Sequence, residues 1–102
     1  MYFGFFKGLP HTDSDEQFES YANFKNTIPK KYVIKYIESL EPWLTSTPSI
    51  EIFTGDKIRA GLFKDGDFTF PYEFLHYYKN YDIGIPYEYE EYLKKIGVGQ
   101  DG

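Results

Sequence analysis

Two histidines, His11 and His76, and sixteen carboxylates are the groups from which this chain could build a reaction centre, and it has no cysteine. Without thiols there is no disulfide, no thiolate nucleophile and no sulfur-ligated zinc, and the composition fits a reducing, cytoplasmic setting. His11 with Asp13 and Asp15 could be drawn as a metal site. One imidazole and two carboxylates ahead of a helix more commonly make a solvated helix start, where negative charge meets the positive end of the dipole. His76 has no serine near it in sequence to activate, so nucleophilic catalysis lacks its partner. Asp65-Gly66-Asp67 lacks the further oxygen ligands and the closing glutamate of a calcium loop and reads as a turn. There is no glycine-rich phosphate loop, and Arg59 is the only arginine available to clamp an anion. The expectation is a protein that is not an enzyme and uses no metal or cofactor. A small hydrolase working through His76 and a nearby carboxylate is an alternative, and it would lose turnover on His76→Ala.

The chain's weight lies elsewhere. Aromatic residues make up 22% of its 102 residues, and eleven of them are tyrosines, whose broad faces and polar tips suit both core edges and protein interfaces. Eleven basic residues against sixteen acidic ones leave a net charge of −5, which repels phosphate backbones and favours a basic partner over nucleic acid. No segment reaches the ~20 apolar residues of a membrane span, and the first residues lack the basic and apolar regions of a signal peptide. No repeat or linker divides the sequence, so residues 1–102 are expected to form one domain.

The elements that must position these groups follow from spacing. Tyr2 to Phe6 is an aromatic run that suits a strand or an irregular core plug equally. Ser14-Asp15-Glu16-Gln17 resembles a capping box and predicts a helix from about Asp15 to Phe24. Pro29 opens a second helix with Tyr32, Val33, Tyr36, Ile37 and Leu40 on one face, stopped by Glu41-Pro42. Ile50 to Thr54 reads as a strand and Gly55-Asp56-Lys57 as its turn. Ile58–Lys64 and Asp67–Phe70 read as a hairpin around a two-residue type I′ loop, Asp65-Gly66, which sets Phe63 against Phe68 and Phe70 against Gly61. Pro71 begins a third helix carrying Phe74, Leu75, Tyr78 and Tyr81 on one side. Pro86 begins a fourth, with Tyr89, Tyr92, Leu93 and Ile96 as its stripe and Gly97 as its stop; Glu90 with Lys94 and Glu91 with Lys95 read as surface pairs. The predicted fold is α+β: a small antiparallel meander of three to four strands packed with about four helices.

The segment SIEIFTGDKIRAGLFKDGDFTFPYEFLHYYKNYDIGIPYEYEEYL, from Ser49 to Leu93, carries a strand, an acidic turn and a Gly-aromatic-x-DG-x-aromatic hairpin, followed by a proline, a tyrosine-rich helix and a second proline-capped helix. It resembles small bacterial immunity proteins of the polymorphic-toxin systems, in particular those of contact-dependent growth inhibition paired with a ribonuclease-A-like toxin. That resemblance implies a cytoplasmic antitoxin, monomeric until it forms a one-to-one complex, that binds the C-terminal domain of one cognate toxin and blocks its active site. A toxin that cuts RNA is basic where it holds phosphates, so an acidic inhibitor is steered toward that surface. Asp13, Asp15, Glu16 and Glu19 are the electrostatic guide expected on this reading, with Tyr72 and Tyr77 as anchors. A second acidic edge, Asp56, Asp65, Asp67 and Glu73, is weighed beside it as turn chemistry. A carbohydrate-binding module is the alternative of a different class, since it too would be rich in rings and carboxylates.

Overall fold

The computed structural model describes residues 1–9 and 13–99. A 3₁₀ helix, Phe18–Asn23, and helix α1, Lys30–Ser39, precede a three-stranded antiparallel sheet of order β1-β2-β3, made of Leu44–Ile50, Lys57–Asp65 and Phe68–Pro71. Helices α2, Tyr72–Asn80, and α3, Tyr87–Lys95, close the chain. The α+β class, the antiparallel meander and its complement of about four helices are as the spacing predicts.

The proline-started helices form where expected because Pro at a helix entrance costs no internal hydrogen bond. In α1 the face of Val33 and Ile37 is buried, flanked by half-buried Tyr32, Tyr36 and Leu40. In α3 Tyr89 and Leu93 are buried, while Ile96, expected on the same stripe, is exposed because the helix ends at Lys95 and Ile96 is its cap. The core is a continuous body of rings in which Phe3 lies 4.8 Å from Phe70, 5.2 Å from Phe74 and 5.0 Å from Tyr89. Each such buried side chain contributes roughly 1.5–3 kcal/mol through water removed from apolar surface.

Four local readings are corrected. The first helix starts only at Phe18 and is 3₁₀, because Glu16 is held extended: it bridges Phe6, the Lys7 amide donates to its carbonyl at 2.8 Å, and its carboxylate accepts from the Tyr21 hydroxyl at 2.7 Å. The strand expected at 50–54 lies earlier, at Leu44–Ile50. Glu51 folds its carboxylate back onto the Phe53 amide at 2.7 Å and the Thr54 hydroxyl at 3.0 Å, which converts 51–54 into a turn. The β2–β3 loop is Gly66-Asp67 rather than Asp65-Gly66, so Phe63 faces Phe70 and Asp65 faces Phe68. With positive φ at Gly66 and none at Asp67, the loop has the dihedral signs of a type II′ turn rather than type I′. Glu90, read as one arm of a surface pair, is buried: it accepts from the Thr27 amide at 2.6 Å and the Ile28 amide at 3.1 Å, and so binds the loop before α1 to α3.

The Tyr2–Phe6 run is an irregular core plug rather than a full strand, with Phe3 and Phe6 buried in the core. Tyr2 makes a single parallel bridge to Thr69, with the Phe3 amide donating to the Thr69 carbonyl at 3.1 Å. The outer edge of β3 is therefore covered. The outer edge of β1 has no strand beside it among the described residues.

Candidate functional site

Three buried carboxylates organise the interior. Asp65 accepts from the hydroxyls of Tyr36, Tyr89 and Tyr92 at 2.8, 2.8 and 3.0 Å, so one carboxylate ties β2 to α1 and α3. Burial first, and then the bond to Asp65, push the Tyr36 phenol well above its ordinary range. Burial followed by the charge of Asp65 does the same to Tyr89. Glu90 is pushed up by burial, yet the donors from Ile28, Asn26 and Thr27 outweigh that and hold it below the usual carboxylate range. Glu51 behaves alike, with burial opposed by the donors from Phe53, Tyr81 and Thr54. The Tyr81 hydroxyl donates to it at 2.7 Å, whereas His76 Nε2 stands 3.6 Å away, beyond hydrogen-bond reach. The His76–Glu51 pair thus sits on a carboxylate already engaged by its own turn. No group of three or more His, Cys, Asp or Glu among the described residues is arranged to hold a metal ion. His11 lies outside the described residues.

The expected anchors part company. Tyr77 has 0% of its surface exposed and belongs to the core, where its hydroxyl accepts from the Ile52 amide at 2.9 Å and burial pushes its pKa up to about 12. It cannot touch a partner while the fold is intact. Tyr72 is half-buried, stacked on Phe63 at 4.9 Å with the Arg59 guanidinium 4.9 Å from its ring, beside a mixed-charge groove of about 690 Å³ that also takes in His76 and Lys79. The second acidic edge loses Asp65 and Glu73, which are buried, and keeps only Asp56 and Asp67 exposed.

The first acidic group fares better. Asp13, Asp15 and Glu19 are exposed and Glu16 is half-buried. Ser14 and Glu16 form one wall of a groove of about 970 Å³ whose other walls are Tyr2 and Phe5 of the N-terminal run and the strands β1 and β2. Its lining is mainly apolar, with Leu44, Pro48, Ile50 and Leu62 opposite Tyr2 and Phe5, and Glu16 is the one charged residue among the described residues that line it. Tyr2 is 74% exposed, and Leu44 and Ile50 are 40% and 45% exposed. Single exposed apolar residues are ordinary, but several converging on one groove mark a surface built to be covered.

Gly61 shapes that groove. Its φ of +151° and the close approach of β1 leave no room for a side chain: a Cβ there would run into the Leu44 carbonyl oxygen and come within 3.0 Å of Thr45 Cα. The ladder is irregular here, with a register shift between Ser46 and Ser49. Sequence reasoning missed β1 and the groove because Thr45-Ser46-Thr47-Pro48-Ser49 has no apolar alternation to announce a strand. The helix α1, itself legible, ends at Ser39 and Pro42 follows, which was the available signal that a new element begins near Trp43.

No family model matches the chain, and comparison with curated proteins and with solved structures gives no match. No helix among the described residues is long and apolar enough to cross a membrane.

Proposed function

We propose that this chain is an immunity protein, a non-catalytic antitoxin that binds the C-terminal domain of a cognate toxin in the cytoplasm and covers its active site. The toxin is a basic domain of nuclease class, bound one to one. The observation that carries the reading is the pairing of an exposed acidic run, Asp13, Asp15 and Glu19 with Glu16, with the apolar groove that Ser14 and Glu16 wall.

Such a surface suits a partner that is basic around an apolar anchor. Carboxylates at the rim steer a basic domain in and take the place of the substrate's phosphates, while the desolvated centre supplies the binding energy. The anchors on this reading are Tyr2, Leu44 and Ile50, in place of the buried Tyr77. A net charge of −5 acts in the same direction at long range.

The test is co-expression of this chain with the toxin domain encoded by the gene immediately upstream, followed by calorimetry at two salt concentrations. Rescue of growth and tight, salt-sensitive one-to-one binding are expected. Continued killing by an active toxin domain, or the absence of a protein partner at both salt concentrations, would overturn the proposal, and glycan binding by an unrescued protein would move it to the carbohydrate class.

A further inference from the structure

β1 is an element without a finished environment. Six of its seven residues are exposed, so neither of its faces is covered, and its one buried residue, Ser49 at 3% exposure, has a hydroxyl with no hydrogen-bond partner among the described residues. The opposite edge of the sheet is closed by the bridge from Tyr2 to Thr69, whereas among the described residues β1 pairs with β2 alone. The backbone at the open edge is aimed outward. The Glu51 amide donates to the Asp56 carbonyl at 2.8 Å, which makes the next pair back, Ile50 with Lys57, a non-hydrogen-bonded one. In an antiparallel ladder the N–H and C=O of such a residue point away from the partner strand. Ile50 therefore presents a donor and an acceptor to the free edge, beside its own exposed apolar side chain.

We infer that β1 is the acceptor for strand addition: an extended segment of a basic partner pairs with its free edge, sets an apolar side chain into the groove between Ile50, Leu44 and Tyr2, and brings a lysine or arginine to Glu16. The identity of that partner as a toxin rests on the proposed immunity function; the pairing mode does not. Main-chain bonds supply affinity in this mode and the alternate side chains supply specificity. Charge selects the occupant. Two copies of this chain would meet at a net charge of −5 each, whereas a basic segment meets Glu16 as the one charged residue lining the groove among the described residues. The strand keeps two guards against indiscriminate pairing, Pro48 and the irregular register between Ser46 and Ser49. Pro48 lies two residues from Ile50 and the register shift ends at Ser49, so the competent stretch centred on Ile50's outward pair is short.

Trp43, the only tryptophan and the residue just before β1, reports on this edge. The probe is a capped nonapeptide of alternating lysine and valine, titrated against the whole chain by Trp43 fluorescence and by amide exchange of 45–50. Saturable binding with slowed exchange at Ile50 is expected. Binding should weaken about tenfold or more when four consecutive central residues of the peptide are N-methylated, and likewise when its lysines become glutamates. Ile50→Arg, at an exposed position, should abolish it with the circular dichroism unchanged, and Glu16→Gln, which keeps an acceptor for the Tyr21 hydroxyl, should weaken it. Equal affinity for the N-methylated peptide, or no saturable binding, would overturn strand addition. So would sedimentation showing a dimer of this chain that Ile50→Arg dissolves, since the occupant would then be a second copy. Toxin rescue without peptide binding would sink this inference alone, and peptide binding without rescue would sink the immunity reading alone.

Discussion

The Tyr89 hydroxyl donates to Asp65 Oδ2 at 2.8 Å in the buried interior, joining the last helix to the last residue of β2. With Tyr36 and Tyr92 on the same carboxylate, this contact explains why the hairpin loop begins at Gly66. Asp65 is pulled inward by three donors and so belongs to the strand.

Replacing Asp65 by alanine strands three hydroxyls around a cavity. A loss of about 3 kcal/mol is expected, and a smaller one for Asp65→Asn, which keeps an acceptor. Urea denaturation of the two variants measures both, and equal stability for wild type and Asp65→Ala would refute the role.

The raised phenols set the alkaline limit. Tyr36, Tyr77, Tyr78 and Tyr89 are all shifted upward from 10.0, with burial the leading cause. Above that value the unfolded chain gives up protons that the folded chain keeps, so stability is fully present below about pH 10 and falls as pH rises, by up to ~1.4 kcal/mol per pH unit for each such tyrosine. Absorbance titration near 295 nm should show these phenols ionising together with the loss of tertiary structure rather than before it.

On the acid side the signs reverse. Glu51 and Glu90 are held below 4.5, so they contribute stability above that value and lose it as pH falls through their folded pKa. Glu90→Gln should lower stability at pH 7 and shrink the difference between pH 7 and pH 3, as measured by thermal unfolding at both.

Gly61→Ala tests the close approach of β1. The substitution combines a left-handed backbone with a collision against the Leu44 carbonyl, and a cost of about 2–4 kcal/mol is expected. Faster amide exchange confined to 44–50 would show that β1 is what detaches; an unchanged exchange profile would refute that.

Tyr2 and Tyr77 should separate binding from folding. Tyr77→Phe removes the acceptor for the Ile52 amide and should cost about 1 kcal/mol of stability. Tyr2→Ala, at a position 74% exposed, should stay within about 0.5 kcal/mol of wild type in stability while weakening partner binding. The opposite pattern in a binding assay would return Tyr77 to the interface.

What the sequence determined by itself was whatever depends on near neighbours. Pro29, Pro71 and Pro86 mark the entrances of α1, α2 and α3 because a proline ring presets φ and needs no donor there. The 3.6-residue spacing of Val33 with Ile37, and of Tyr89 with Leu93, gives each helix its buried face, and hairpin connection makes the sheet antiparallel. What only the tertiary structure decided turns on carboxylates that find distant donors. Asp65 set the loop by two-residue displacement of the expected pairing, Glu51 ended a strand, and Glu90 left the surface, each because buried charge must be met by hydrogen bonds from elsewhere in the chain. The same long-range packing buried Tyr77 and left β1 bare. Local sequence carries no record of which faces remain uncovered once the core has closed, and the groove beside Ile50 is such a face.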